Sequence, residues 1–133
     1  MPDNGLVKGE RSMTKGFVAQ YASEATLATP GVYGLHESLP VTLKESLVGD
    51  HEGKGVSVYF NDLKENFVNI TVYPILYFGN ILPEVAWNIQ EKVKGDVEKY
   101  TGLLVESVNV HVKGVVTHEE SRNINVSKGS SNE

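Results

Sequence analysis

Between Asn80 and Gly102 the apolar residues recur at helical spacing, and both ends of the run carry their own boundary signals. Leu82, Val85, Ala86, Ile89, Val93, Val97 and Tyr100 fall on one stripe, while Glu91, Lys92, Lys94, Glu98 and Lys99 fall on the opposite side. Asn80 stands where a cap belongs, Pro83 occupies the first turn, whose amides lack helical partners, and Glu84 places negative charge near the positive end of the helix dipole. Gly102 closes the run as the residue that accepts a left-handed backbone. Six residues later the period changes to two: Val108, Val110 and Val112 alternate with Asn109, His111 and Lys113. A one-striped helix followed by a one-faced strand has to bury both against a shared core, which confines the chain to layered α+β architectures.

The remaining segments extend that frame. Phe17, Val18, Tyr21, Ala22, Ala25 and Ala28 predict a helix from about Thr14 to Ala28, stopped by Pro30, after which Gly31–Leu35 reads as a turn and a short extended piece. Leu39, Val41 and Leu43 alternate like a short strand, whereas Gly49, Gly53 and Gly55 among Asp50, His51, Glu52 and Lys54 describe a mobile loop. Val56, Val58 and Phe60 then alternate with Ser57, Tyr59 and Asn61. The polar link 62–66 is short enough for an antiparallel hairpin to Val68, Ile70 and Val72. Pro74 lacks a ladder donor, so the strand bends there or lies at an edge. The expected fold is therefore a two-layer α+β sandwich in the order helix-strand-strand-helix-strand. Its small mixed three-stranded sheet carries helices on one face. Residues 1–13 are expected to be a flexible N-terminus, 14–116 a single domain and 117–133 a disordered tail.

A chain of 133 residues with no cysteine has neither disulfides nor thiolate chemistry. Its formal charge of -5 disfavours nonspecific attraction to nucleic acid or anionic lipid. No apolar run approaches the roughly 18 residues that a membrane helix needs. His36, His51, His111 and His118 are scattered without metal-ligand spacing. His111 with Asn109 near Glu106 is explained by strand alternation alone, and Asp50, His51 and Glu52 by a solvated loop. The loop glycines are followed by neither Gly-Lys-Ser nor Gly-Lys-Thr, and no serine sits in an elbow motif. No catalytic, metal-binding or cofactor-binding residue is assigned, and the expectation is a protein that is not an enzyme.

What remains is a surface. Tyr59, Phe67, Tyr73 and His111 fall on the outward side of their strands, an aromatic rather than uniformly charged face, and form the candidate interface. An alternative use of the same side is a stacking platform for single-stranded RNA, built from Tyr59, Tyr73 and Tyr77 with Lys64 and Lys113 nearby. The negative net charge argues against a nucleic-acid partner.

Gly79-Asn80-Ile81-Leu82-Pro83-Glu84-Val85-Ala86, followed by Ile89-Gln90, Val93, Val97-Glu98 and Thr101-Gly102-Leu103, resembles the alkaline shock protein family of Gram-positive bacteria. Val108 to Val112 with Gly114-Val115 resembles the family's closing strand. Ala22 to Ala25, Gly31-Val32 and Gly55-Val56 resemble its first helix, turn and first strand. Thr26, Thr29 and Pro30 depart from a more apolar helix end. The resemblance spans roughly residues 17 to 115 and implies an envelope and alkaline stress response protein without enzymatic activity. It further implies a cytoplasmic, self-associating homo-oligomer recruited to the membrane by an integral membrane anchoring protein of the same family, with no cofactor and no membrane insertion of its own.

Overall fold

The computed structural model describes residues 8–36 and 55–120, with side chains of the first helix described from Met13 onward. The strand expected over Leu39, Val41 and Leu43 and the loop bearing Asp50, His51 and Glu52 lie outside these residues, as do 1–7 and 121–133. In chain order the elements are α1 (Lys8–Leu27), β1 (Val32–Leu35), β2 (Val56–Phe60), β3 (Phe67–Val72), β4 (Pro74–Tyr77), α2 (Leu82–Thr101), β5 (Leu104–Val110) and β6 (Gly114–Val116). The α+β class holds, but the sheet is richer than expected: two three-stranded sheets, ordered β2-β3-β5 and β1-β4-β6, replace one.

The second sheet arises at Pro74. Strand β3 pairs antiparallel with β2, Val58 opposite Ile70, and parallel with β5, Val72 opposite Val110. The chain then restarts as β4, antiparallel to β1 and parallel to β6. Backbone bonds carry the ladder across the break: His111 N–H donates to Val72 O, Lys113 N–H to Pro74 O, Tyr73 N–H to Gly55 O and His36 N–H to Tyr73 O. Proline thus bends the sheet instead of ending it, and β4 becomes a central strand.

One apolar cluster lies beneath both helices. Val56, Val58, Val68, Ile70 and Val72 supply it from the first sheet, Leu76 from the second, and Val85, Ile89, Val93 and Val97 from α2. The α2 stripe is narrower than periodicity suggested, because Leu82 and Tyr100 stay exposed at the helix ends. Asn80 is not the cap. Ile81 holds that position without a side-chain bond, and Asn80 Nδ2 donates to Tyr77 O. Gly102 ends the helix in a left-handed conformation, as expected, its N–H bonded to Glu98 O.

Helix α1 begins at Lys8 rather than near Thr14 and is turned by about one residue from its expected phase. Val18, Ala19, Ala22, Ala25 and Thr26 are buried, whereas Phe17 is exposed and Ala28 faces out. The threonines that depart from an apolar helix end are buried because their hydroxyls are satisfied. Thr26 Oγ1 donates to Ala22 O at 2.8 Å, and Thr29 Oγ1 to Ala25 O at 2.9 Å.

Strand β5 also starts earlier than its alternation indicated. Its pairing with β3 shifts register after Val68, opposite Val105, so that Ser107 faces Asn69 and Glu106 is the extra residue. Val105 and Val108 are therefore the buried pair, and Val112 is exposed. Side chains of α2 occupy backbone groups of this strand: Gln90 Nε2 donates to Val108 O, Lys94 Nζ to Val105 O, and the Glu98 carboxylate accepts from Val105 N–H. Edge groups engaged in this way offer no template for another strand. Beyond β6, Thr117 Oγ1 accepts from Glu120 N–H while Glu120 Oε1 accepts from Thr117 N–H. This reciprocal capping box starts a helical turn at the head of the segment expected to be disordered.

Three measurements test this packing. Ile89→Ala removes a fully buried side chain and is expected to cost about 2 to 5 kcal/mol in chemical denaturation, against under about 0.5 kcal/mol for the exposed Glu91→Ala. A Cβ built on Gly95 meets nothing within 4 Å. Gly95→Ala should therefore stabilise the protein by about 0.5 to 1 kcal/mol through helix propensity alone. The Lys94 hydrogen bond first, then that from Val105, holds the Glu98 carboxyl below its ordinary range. A carboxylate held lower in the folded state contributes stability that is complete above its unfolded pKa, about 4.3 for glutamate, and is lost as pH falls through the folded value. Glu98→Gln should accordingly lower Tm at neutral pH and flatten the acid limb of the Tm-against-pH curve.

Candidate functional site

Alternation along β3 sends Phe67, Asn69, Thr71 and Tyr73 to the side opposite Val68, Ile70 and Val72. The ladder sets Tyr59 opposite Asn69, Asn69 opposite Ser107, and Thr71 opposite Asn109. All four candidate interface residues lie on this outward side, but they form two groups rather than one patch. At the bend, the Tyr73 and His111 rings stand 5.5 Å apart at 40°. Phe67 begins β3, about 20 Å from Tyr73 at strand rise, and Tyr59 lies near that same end.

Three of these four rings carry a lysine. Lys64 Nζ lies 5.4 Å from the Phe67 centroid, Lys113 Nζ 5.8 Å from Tyr73, and Lys15 Nζ 5.9 Å from Tyr59. Beside the Phe67 and Tyr59 end runs a polar network centred on the bulged Glu106. Its carboxylate accepts from Asn61 Nδ2 at 2.8 Å, Lys64 Nζ at 3.1 Å and Asn69 Nδ2 at 3.1 Å. Ser107 Oγ donates to Asn69 Oδ1 at 2.6 Å. These bonds, the one from Asn61 foremost, hold the Glu106 carboxyl below its ordinary range. The register shift thus turns Glu106 toward the hairpin link, and the carboxylate considered as a partner for His111 is committed to Asn61, Lys64 and Asn69. No sequence signal marks this network, because it joins residues about forty positions apart through a bulge.

The stacking platform of Tyr59, Tyr73 and Tyr77 is not assembled. Tyr77 belongs to the second sheet, where it meets Tyr33 edge-on at 5.8 Å and stacks on His118 at 4.4 Å and 12°. On the helical side, Thr14, Phe17, Tyr21, Tyr100 and Thr101 line an open groove of about 330 Å³, with Tyr21 and Tyr100 stacked 5.1 Å apart. Among the described residues no group of three histidines or carboxylates is arranged to hold a metal ion. No helix among them is long and apolar enough to cross a membrane.

Periodicity left three exposed apolar side chains of the β4–α2 region unnoticed. Phe78, Ile81 and Trp87 are 67%, 65% and 60% exposed. Trp87 falls outside the buried stripe of its helix, and a large aromatic out of phase in this way is the signal that sequence offers.

YqhY of Bacillus subtilis is 25% identical over 134 residues, covering 95% of this chain and 97% of the relative. YloU of Bacillus subtilis is 31% identical over 109 residues, covering 80% of this chain and 88% of that one. Spy1535 of Streptococcus pyogenes is 32% identical over 95 residues, covering 71% and 70%. Among solved structures, variants of MamM CTD overlap at a TM-score of 0.43 with 16% identity, one of them over 74% of this chain and 92% of its own. A family model described by its cell envelope-related function matches residues 4–117, and the chain belongs to that family, the alkaline shock protein 23 family.

Proposed function

We propose that this protein acts in its envelope-related role without catalysis, as a self-associating scaffold recruited beneath the membrane by a membrane-anchored partner of the same family. The observation that supports this most is the outward face of the β2-β3-β5 sheet. Tyr59, half exposed, and Tyr73 beside exposed His111 stand on the side away from the buried valines, each ring accompanied by a lysine. Rigid aromatics of this kind bury large areas at little entropic cost when a second surface covers them. Isologous contact between two copies would join the face to itself.

Light scattering over a concentration series tests self-association. Assembly should grow with concentration and be lost in Tyr73→Glu, whose fold is preserved because the outward side chain leaves the core intact. A strict monomer at high concentration removes the scaffold. The anchor is tested separately: physiological salt should leave the protein unbound to anionic vesicles and bound to vesicles that carry the partner.

The lysines beside Tyr59, Phe67 and Tyr73 favour one second reading, a platform for single-stranded RNA. It is the weaker of the two, since Lys64 is bonded to Glu106 and the net charge is -5. Fluorescence anisotropy with mixed-sequence RNA at low salt decides it, because electrostatic binding is strongest there.

A further inference from the structure

The end of the molecule where β4 leaves the sheet and α2 begins is built to present apolar side chains rather than to bury them. The β4–α2 turn is fixed from several directions. Phe78 N–H donates to Val116 O at 2.7 Å, and Asn80 Nδ2 to Tyr77 O at 3.1 Å. Gly79 sits at a φ of 101°, where a side chain would strain the backbone. So held, the turn leaves Phe78 and Ile81 in solvent.

Ile81 is the sharper anomaly. It occupies the N-cap of α2 with no side-chain bond to the helix, where Asp, Asn, Ser or Thr would stabilise the first turn. Leu82 is 40% exposed beside it. Trp87 stands on α2 one turn beyond Pro83, on that residue's side of the helix. It lies three residues before Gln90 and seven before Lys94, the side chains that reach β5, and so stands toward the end at which β5 passes into β6.

Charge identifies what this surface accepts. The segments that build this end, 75–91 and 114–120, contain Glu84, Glu91, Glu119 and Glu120 and no lysine or arginine. An acidic rim repels an anionic lipid surface, and a two-fold contact with a second copy would set two such rims together.

We propose that Phe78, Ile81 and Trp87 form a docking site for a partner protein's peptide segment whose apolar side chains are flanked by lysine or arginine. This rests on the recruitment reading above and locates it, since basic residues flank the cytoplasmic ends of membrane spans. The site is separate from the sheet face assigned to self-association.

Trp87 is the sole tryptophan and reports on its own surroundings. The protein is titrated with a synthetic peptide bearing a Leu-Ile-Leu centre between lysine runs, with its glutamate-flanked counterpart, and with vesicles of equal parts phosphatidylglycerol and phosphatidylcholine. The expected result is a blue shift and protection of Trp87 from quenching with the lysine-flanked peptide alone, weakened by salt. Ile81→Asp and Phe78→Asp should each weaken that binding about tenfold. Ile81→Asp should at the same time raise Tm, because it supplies the missing cap, which separates lost docking from lost folding.

A response to the vesicles, a shift that grows with protein concentration alone, equal response to both peptides, or no response to any probe each overturns the proposal. Tyr73→Glu should leave peptide docking intact. Self-association and docking can therefore fail independently, and failure of one is not read as failure of the other.

Discussion

The parallel pairing of β3 with β5 is the constraint on which the remaining structure depends. Parallel neighbours cannot be joined by a tight turn; the chain must cross from the end of one strand to the start of the next. Here that crossover is β4, the turn at Gly79 and α2, so the pairing decides where the second helix lies before any side chain is counted. Val85, Ile89, Val93 and Val97 then join the cluster that holds Val68, Ile70 and Val72, and α1 closes the layer with small residues that allow close approach. Removing apolar surface from water supplies the driving force, at roughly 25 cal/mol per Å². The side chains of Gln90, Lys94 and Glu98 add direction, because each binds a backbone group of β5 and so holds the helix in register with the strand it precedes.

Local periodicity was enough to recognise α2, the β2–β3 hairpin and the α+β class, since in each the residues that meet the core recur at the element's own repeat. It failed where a longer-range effect governs. Strand β5 carries a bulge at Glu106, so Val105 and Val108 share a face that strict alternation denies them. Helix α1 is rotated because Thr26 and Thr29 bury hydroxyls that bond carbonyls one turn back, which makes polar residues serve as core residues. Pro74 was expected to bend the strand or leave it at an edge; it bends the strand, and backbone bonds from His111 and Lys113 carry the ladder past it, which is invisible to composition. Among the candidate residues, Tyr73 and His111 were legible as outward neighbours. Tyr77 was not legible as belonging to another sheet, because its separation follows from that same bend.

The bend also separates the surfaces. A flat three-stranded sheet would have set Tyr59, Tyr73 and Tyr77 along one side, and a single interface would have had to serve every partner. With β4 and β6 turned into a second sheet, Tyr77 packs with Tyr33 and His118, while Tyr73 and His111 remain at the edge of the first. Lys15, Lys64 and Lys113 attend the outward aromatics, where Glu106 pairs with Lys64, whereas the segments 75–91 and 114–120 carry Glu84, Glu91, Glu119 and Glu120 and no lysine or arginine.

That division bears on assembly. A scaffold that uses one surface both to meet copies of itself and to meet an anchor has the two events compete, and recruitment would dissolve the assembly. On the reading proposed above, separate surfaces on one domain would let both contacts form at once. Each copy in such an assembly would add an anchoring site, so that weak individual docking would sum to firm attachment through effective concentration. Ile81 shows the same division at a single residue. A cap-forming side chain at that position would hold α2 more firmly, and the isoleucine found there forgoes that stability while leaving an apolar side chain in solvent, the trade that the proposed docking role would explain.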